Sequence, residues 1–141
     1  MRIAFSHVSL NCRDPLAMER YYCRHFGFRR ARVIPLGGDQ IVFLKSGGVY
    51  LELFKTAETG PVRRGDKDGP ASPGVRHIAF KVDDVDAKLA EMGAEARVTL
   101  GPLDFKDFIP GWRTVWVADP EENVVEISQG YTDQADPPPP A

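Results

Sequence analysis

One pattern in this chain is written twice, and that duplication limits the folds open to it. HVSLNCRDPLAMERYYCRHFG starts at His7, and HIAFKVDDVDAKLAEMG starts at His77. Each copy has a histidine early in an apolar run, an aspartate seven residues later, and a helix-like segment closed by glycine. His7 and His77 stand 70 positions apart, as do Asp14 and Asp84. Further on, VYLELF is echoed by VVEISQ, with Glu52 and Glu126 74 positions apart. The drift of four residues is what one loop insertion produces. A period of about half the chain predicts two copies of one supersecondary unit.

Each half reads as strand, helix, then three strands, an α+β chain of two βαβββ modules. In the first half, IAFSHVSL has the β-branched and aromatic character of a strand. Asp14 sits where an N-cap belongs, and Pro15 follows at the first helical position. The helix PLAMERYYCRHF places Leu16, Tyr22 and Phe26 at helix-compatible spacings, and Gly27 closes it. FRRARVIP, QIVFLK and VYLELFK are the next strands, with LGGD and SGG as hairpin turns. In the second half VRHIAFKV is a strand, Asp83 or Asp84 caps the helix VDAKLAEM, and Gly93 ends it. AEARVTL, WRTVWVAD and VVEISQ complete it, with DPEEN as a turn. Module one is expected over about 1–55 and module two over about 75–131. The Gly-, Pro- and charge-rich stretch of about 56–74 is a linker or a loop over a site. The Pro-rich tail 132–141 is expected to be disordered or extended.

Composition narrows the function. A chain of 141 residues suits one domain with a real core. The net charge of −2 gives no case for nucleic acid or an acidic membrane surface. No apolar run approaches the roughly 20 residues that span a bilayer. The N-terminus lacks the continuous apolar segment of a signal peptide, so a cytoplasmic protein is expected. Cys12 and Cys23 have no CxxC spacing and read as packed thiols. No glycine-rich phosphate-binding motif is present.

The polar residues inside the strands carry the chemistry. Strand side chains alternate faces. Phe5, His7 and Ser9 share a face opposite Val8 and Leu10. Tyr50, Glu52 and Phe54 share one opposite Leu51 and Leu53. The aliphatic faces suit packing on the helix, which sends His7 and Glu52 to the other surface of the sheet. His77 and Glu126 repeat the arrangement. A lone strand histidine is ordinarily hydrogen-bonded to a neighbour, and a lone strand glutamate is ordinarily solvated. Four such residues at matched parity in two repeats are better explained by one shared compensator, because buried carboxylates need one. A divalent metal (Zn, Ni, Co, Mn or Fe) suits imidazole with carboxylate. His25, beside Arg24 at a helix C-terminus, suits the helix dipole and is not counted as a ligand.

At this point the chain resembles the vicinal oxygen chelate superfamily, which includes glyoxalase I, bleomycin and fosfomycin resistance proteins and extradiol dioxygenases. The resemblance runs to about Tyr131. It rests on the doubled βαβββ order, on HVSLNCRD and its echo HIAFKVDD, on VYLELF, and on WVADPEENVVEIS. In the last, Glu122 stands where the family has a turn glycine, leaving Asn123 for the tight position. The resemblance implies paired curved sheets with His7, Glu52, His77 and Glu126 as metal ligands. The site lies within one chain or across a dimer, with a homodimer the expected assembly. It implies a metal that binds neighbouring substrate oxygens as a Lewis acid. Glu126 is then the first candidate base, with Glu52 acting on the opposite face. A fourth ligand at Glu52 favours a glyoxalase-like lyase or isomerase acting by metal-stabilised enediolate chemistry on a small 2-oxo or hydroxy-carbonyl compound. No thiol-conjugate signature points to glutathione substrates. The alternatives are an Fe(II) extradiol-type ring-cleaving dioxygenase with two His and one carboxylate, and a non-catalytic small-molecule-binding protein of the resistance type. Arg63, Arg64, Lys106 and Arg113 are candidates for meeting an anionic substrate, and Trp112 and Trp116, in parity with Thr114, for lining a cavity.

Overall fold

The chain is seen in a computed structural model that describes residues 1–58, 60 and 65–140. The candidate anion contacts Arg63 and Arg64 lie outside the described residues. Two units emerge, one of 1–64 with 119–123 and one of 65–118 with 124–141.

In the first unit the order is β1 (His7–Cys12), α1 (Pro15–Phe26), β2 (Arg29–Leu36), β3 (Asp39–Ser46) and β4 (Val49–Lys55). The sheet runs β1-β4-β3-β2. The β1–β4 pair is parallel and the others antiparallel. A parallel pair needs a crossover, and the helix that follows β1 begins it. The Asp14 side chain accepts from Ala17 N at 3.0 Å, with Pro15 opening the helix behind it. Gly27 ends it in the left-handed region at φ +67, which costs glycine nothing. The buried face of α1 is Met18, Tyr21, Tyr22 and His25. Leu16 is half exposed, because it stands about 200° around the helix from Met18 and so lies off the buried stripe. Val42, Leu44, Leu51 and Leu53 meet that stripe and are essentially inaccessible. Burying each of the three leucines stabilises the unit by about 1.5–3 kcal/mol. The first strand starts later than expected, at His7 rather than Ile3, since its first partner on β4 is Tyr50 opposite His7. The edge strand β2 is exposed along its whole length, and Arg29, Arg30, Arg32 and Pro35 protect it from pairing with another chain.

The second unit repeats the plan. It runs β5 (Ile78–Lys81), α2 (Val85–Met92), β6 (Arg97–Asp104), β7 (Arg113–Ala118) and β8 (Val124–Gln129), with sheet order β5-β8-β7-β6. Asp84, not Asp83, caps α2 by accepting from Ala87 N at 2.9 Å. A short 3-10 turn at Gly93–Glu95 replaces the start expected for the next strand. Val85 and Met92 of α2 are buried, as are Val115, Val117, Val125 and Ile127 on the alternating positions of β7 and β8. No helix among the described residues is long and apolar enough to cross a membrane. The described tail, 132–140, is exposed and forms no helix or strand.

The turn Asp119–Asn123, which joins β7 to β8, belongs to the first unit. Its left-handed residue is Glu122, at φ +67, and not Asn123. The turn is closed by Glu122 N donating to Asp119 O at 3.0 Å and Asp119 N donating to Asn123 O at 2.9 Å. A residue with a Cβ is disfavoured in this conformation by about 1–2 kcal/mol. Glu122→Gly is therefore expected to be more stable than Glu122→Ala by about 1 kcal/mol in urea unfolding, both variants having lost the carboxylate.

Candidate metal centre

The parallel register of β1 on β4 sets Ser9 opposite Glu52. His7 Nε2 lies 3.1 Å from Glu52 Oε2, and Ser9 Oγ donates to the same oxygen at 2.5 Å. On its other side, His7 Nδ1 meets Ser6 Oγ at 2.8 Å. A hydroxyl donates or accepts, so this contact leaves the His7 tautomer open. His7 also meets the ring of Phe43 edge-on at 5.6 Å. The His7 side chain is 36% exposed and that of Glu52 14%, so the imidazole is more open than its strand context suggests.

The second unit builds the same pair more tightly. His77 Nε2 lies 2.7 Å from Glu126 Oε2, with the two side chains 21% and 15% exposed. Thr114 Oγ1 lies 3.0 Å from Glu126 Oε1, close enough to donate to it. His77 Nδ1 lies 2.6 Å from the backbone oxygen of Asp68. A carbonyl only accepts, so Nδ1 must carry the proton. Nε2 therefore faces the carboxylate with a proton or a cation between them. An imidazole that gives its far N–H to a carbonyl is the usual arrangement of a metal-binding histidine.

In each unit a hydroxyl lies beside the carboxylate, and the imidazole touches it through Nε2, with Ile127 O also 3.0 Å from the Thr114 hydroxyl. Sequence reasoning found the two pairs but missed Ser9, Thr114 and the Asp68 carbonyl. Strand parity had already put Ser9 on the face of His7. A backbone acceptor such as Asp68 O leaves no mark in the sequence. Two imidazoles and two carboxylates suit a borderline divalent ion, and the Nδ1–H bond of His77 fits that use. Among the described residues no group of three or more His, Cys, Asp and Glu side chains converges to hold a metal ion.

The aromatic neighbours divide. Trp116 sits directly across from Glu126 in the β7–β8 register, with its ring 6.3 Å from His77. Its Nε1 is buried without a hydrogen-bond partner among the described residues. Trp112 donates to Ser128 Oγ at 3.1 Å and packs on Phe105 at 4.8 Å. Arg113 pairs with Asp86 of α2 at 3.0 Å, on the helix side of the sheet and away from the histidine face. Lys106 is exposed. His25 is buried on α1, its ring 5.1 Å from Tyr21 and on the opposite side of the sheet from Glu52. The thiol of Cys12 is pushed up to about 12, first by burial and then by Glu121, Asp119 and Asp14, so it is no nucleophile at neutral pH.

Doubled βαβββ architecture with one His–Glu pair on the open face of each sheet defines the class of chain. Residues 4–127 match the model of the Glyoxalase/Bleomycin resistance protein/Dioxygenase superfamily, and the chain belongs to that family. A lactoylglutathione lyase from Agrobacterium tumefaciens is 29% identical with a TM-score of 0.59, over 90% of this chain and 93% of that one. A glyoxalase family protein from Enterococcus faecalis is 28% identical with a TM-score of 0.65, over 89% and 96% of the respective chains. The genomically encoded fosfomycin resistance protein FosX from Listeria monocytogenes shares the fold at 15% identity, with a TM-score of 0.69 over 93% and 96%. No curated protein matches this chain.

Proposed function

We propose that this chain is a metal-dependent lyase or isomerase of the glyoxalase type, acting on a small 2-oxo or hydroxy-carbonyl compound. The observation that carries the reading is the recurrence of one His–Glu contact, each carboxylate beside a hydroxyl, in both units. His7, Glu52, His77 and Glu126 would hold the ion, from one chain or from two copies, with a homodimer as the expected assembly. Bound there, a divalent metal supplies Lewis acidity to neighbouring oxygens of the substrate.

The protein's own part is proton movement. Glu126 would take the proton from the carbon next to the carbonyl, and the Thr114 hydroxyl holds its other oxygen in place. Glu52, oriented by Ser9, would return a proton on the other face. Trp116 lies beside Glu126, where an indole ring keeps water from the reacting carbon. The likeness to a lactoylglutathione lyase supports this branch of the family. A cytoplasmic setting is part of the proposal.

Deuterium uptake at the carbon next to the carbonyl, followed by proton NMR over a panel of 2-oxo and hydroxy-carbonyl compounds, tests the reading. Protein loaded with Ni, Zn, Co or Mn should accelerate exchange for at least one compound, and chelation should abolish it. Oxygen uptake with catechols by Fe(II)-loaded protein, without proton exchange, would instead establish the dioxygenase branch.

A further inference from the structure

The two His–Glu pairs differ in how firmly the imidazole is held, and the difference traces to the segment before β5. His77 Nδ1 donates to Asp68 O at 2.6 Å. The Asp68 carboxylate is gripped by Arg76, the neighbour of His77, through Nε at 2.9 Å and Nη2 at 3.1 Å. A two-pronged guanidinium–carboxylate contact fixes direction as well as distance. Two further bonds set the loop. Thr99 Oγ1 of β6 donates to Lys67 O at 2.5 Å, and Gly69 N donates to Asp66 O at 3.0 Å. Gly69 has φ +119, and a Cβ there would stand 1.9 Å from Arg76 O. Only glycine lets the two chain segments come this close. Lys67, at φ +47, is also in the left-handed region. Among the described residues, His7 Nδ1 meets the hydroxyl of its neighbour Ser6 in place of such support.

We propose that Asp66–Gly69 and Arg76 form a positioning clamp that fixes the proton of His77 on Nδ1 and so presents Nε2 to the metal. The metal half of this statement rests on the proposed function, whereas the tautomer half does not. The clamp makes His77–Glu126 the more firmly preformed of the two His–Glu pairs. Asp68, Gly69 and Arg76 are positioning residues. Their effect reaches the ion through the imidazole, and carbonyl support of this kind is worth about 10–100-fold in metal affinity.

The test uses protein labelled with nitrogen-15 in its three histidines. The metal-free wild type should show one protected, downfield Nδ1–H signal at neutral pH, assigned to His77 by its loss in His77→Gln. Asp68→Ala, Arg76→Ala and Gly69→Ala should broaden or remove that signal, and Arg76→Lys should retain part of it. Zinc titration against a chromophoric chelator should give binding about tenfold weaker in the three disruptive variants. Because Asp68 is only partly buried and Arg76 is exposed, their alanine variants should keep the fold, which circular dichroism verifies. A wild type without the protected proton, or variants that keep it unchanged, would overturn the clamp. A protected proton in a wild type that takes up no zinc would overturn the metal reading and leave the clamp as a tautomer control.

Discussion

Asp119→Ala is expected to destabilise the first unit by about 3 kcal/mol, measured by urea unfolding. Asp119 is fully buried. Its Oδ1 accepts from Glu121 N and Asn123 N, each at 2.9 Å. Its Oδ2 accepts from Tyr22 Oη at 2.7 Å and Asn123 Nδ2 at 2.9 Å. Removing the carboxylate strips the acceptor from the buried Tyr22 hydroxyl and from two turn amides. Each such loss costs about 1–3 kcal/mol. The turn exists because aspartate arranges its own next residues around its side chain. Burial raises the Asp119 carboxyl above its ordinary value of 3.8, and the hydrogen bonds from Asn123 and Tyr22 only partly oppose this. The sign follows from linkage. An acid whose value is raised on folding contributes stability that is fully present below 3.8 and lost as pH rises through the raised folded value. Asp119→Asn keeps part of the bonding and should flatten that descending segment of the stability–pH curve.

Glu126→Gln is expected to lower metal-dependent proton exchange by about 10³-fold, in the range that a positioned base supplies. Metal affinity should fall far less, because the amide oxygen still ligates while the amide nitrogen takes the position beside Thr114, whose hydroxyl can accept from it and donate to Ile127 O. Glu52→Gln should have the smaller effect on proton removal. Equal losses of exchange and metal in Glu126→Gln would make the residue a ligand without a role as base. The measurement is deuterium uptake set beside a zinc titration of the same preparations.

Much of this molecule is legible in the residues, and the boundary is physical. That His7 lies on the face of Glu52, and His77 on that of Glu126, is legible because strand alternation converts position into face, and each histidine meets the glutamate of its own unit. The caps at Asp14 and Asp84 and the stop at Gly27 are equally local. Contacts made across sequence distance were hidden. That Ser9 donates to Glu52 depends on the parallel register of two strands distant in sequence, since Ser9 and Glu52 differ by 43 positions. The Asp68 carbonyl at His77 is a backbone group that any residue would supply. Glu122 was misjudged because its left-handed conformation is imposed by the bonds that close the turn around Asp119, against its own preference.

Metal content after loading and exhaustive dialysis tests the central claim most directly. Plasma mass spectrometry on the wild type, offered Ni, Zn, Co, Mn and Fe(II) in turn, should find one divalent ion per chain for at least one of them. Retention should be much reduced in His7→Ala, Glu52→Ala, His77→Ala and Glu126→Ala. Wild type that retains none of these ions, or histidine variants that retain as much as wild type, would contradict the account.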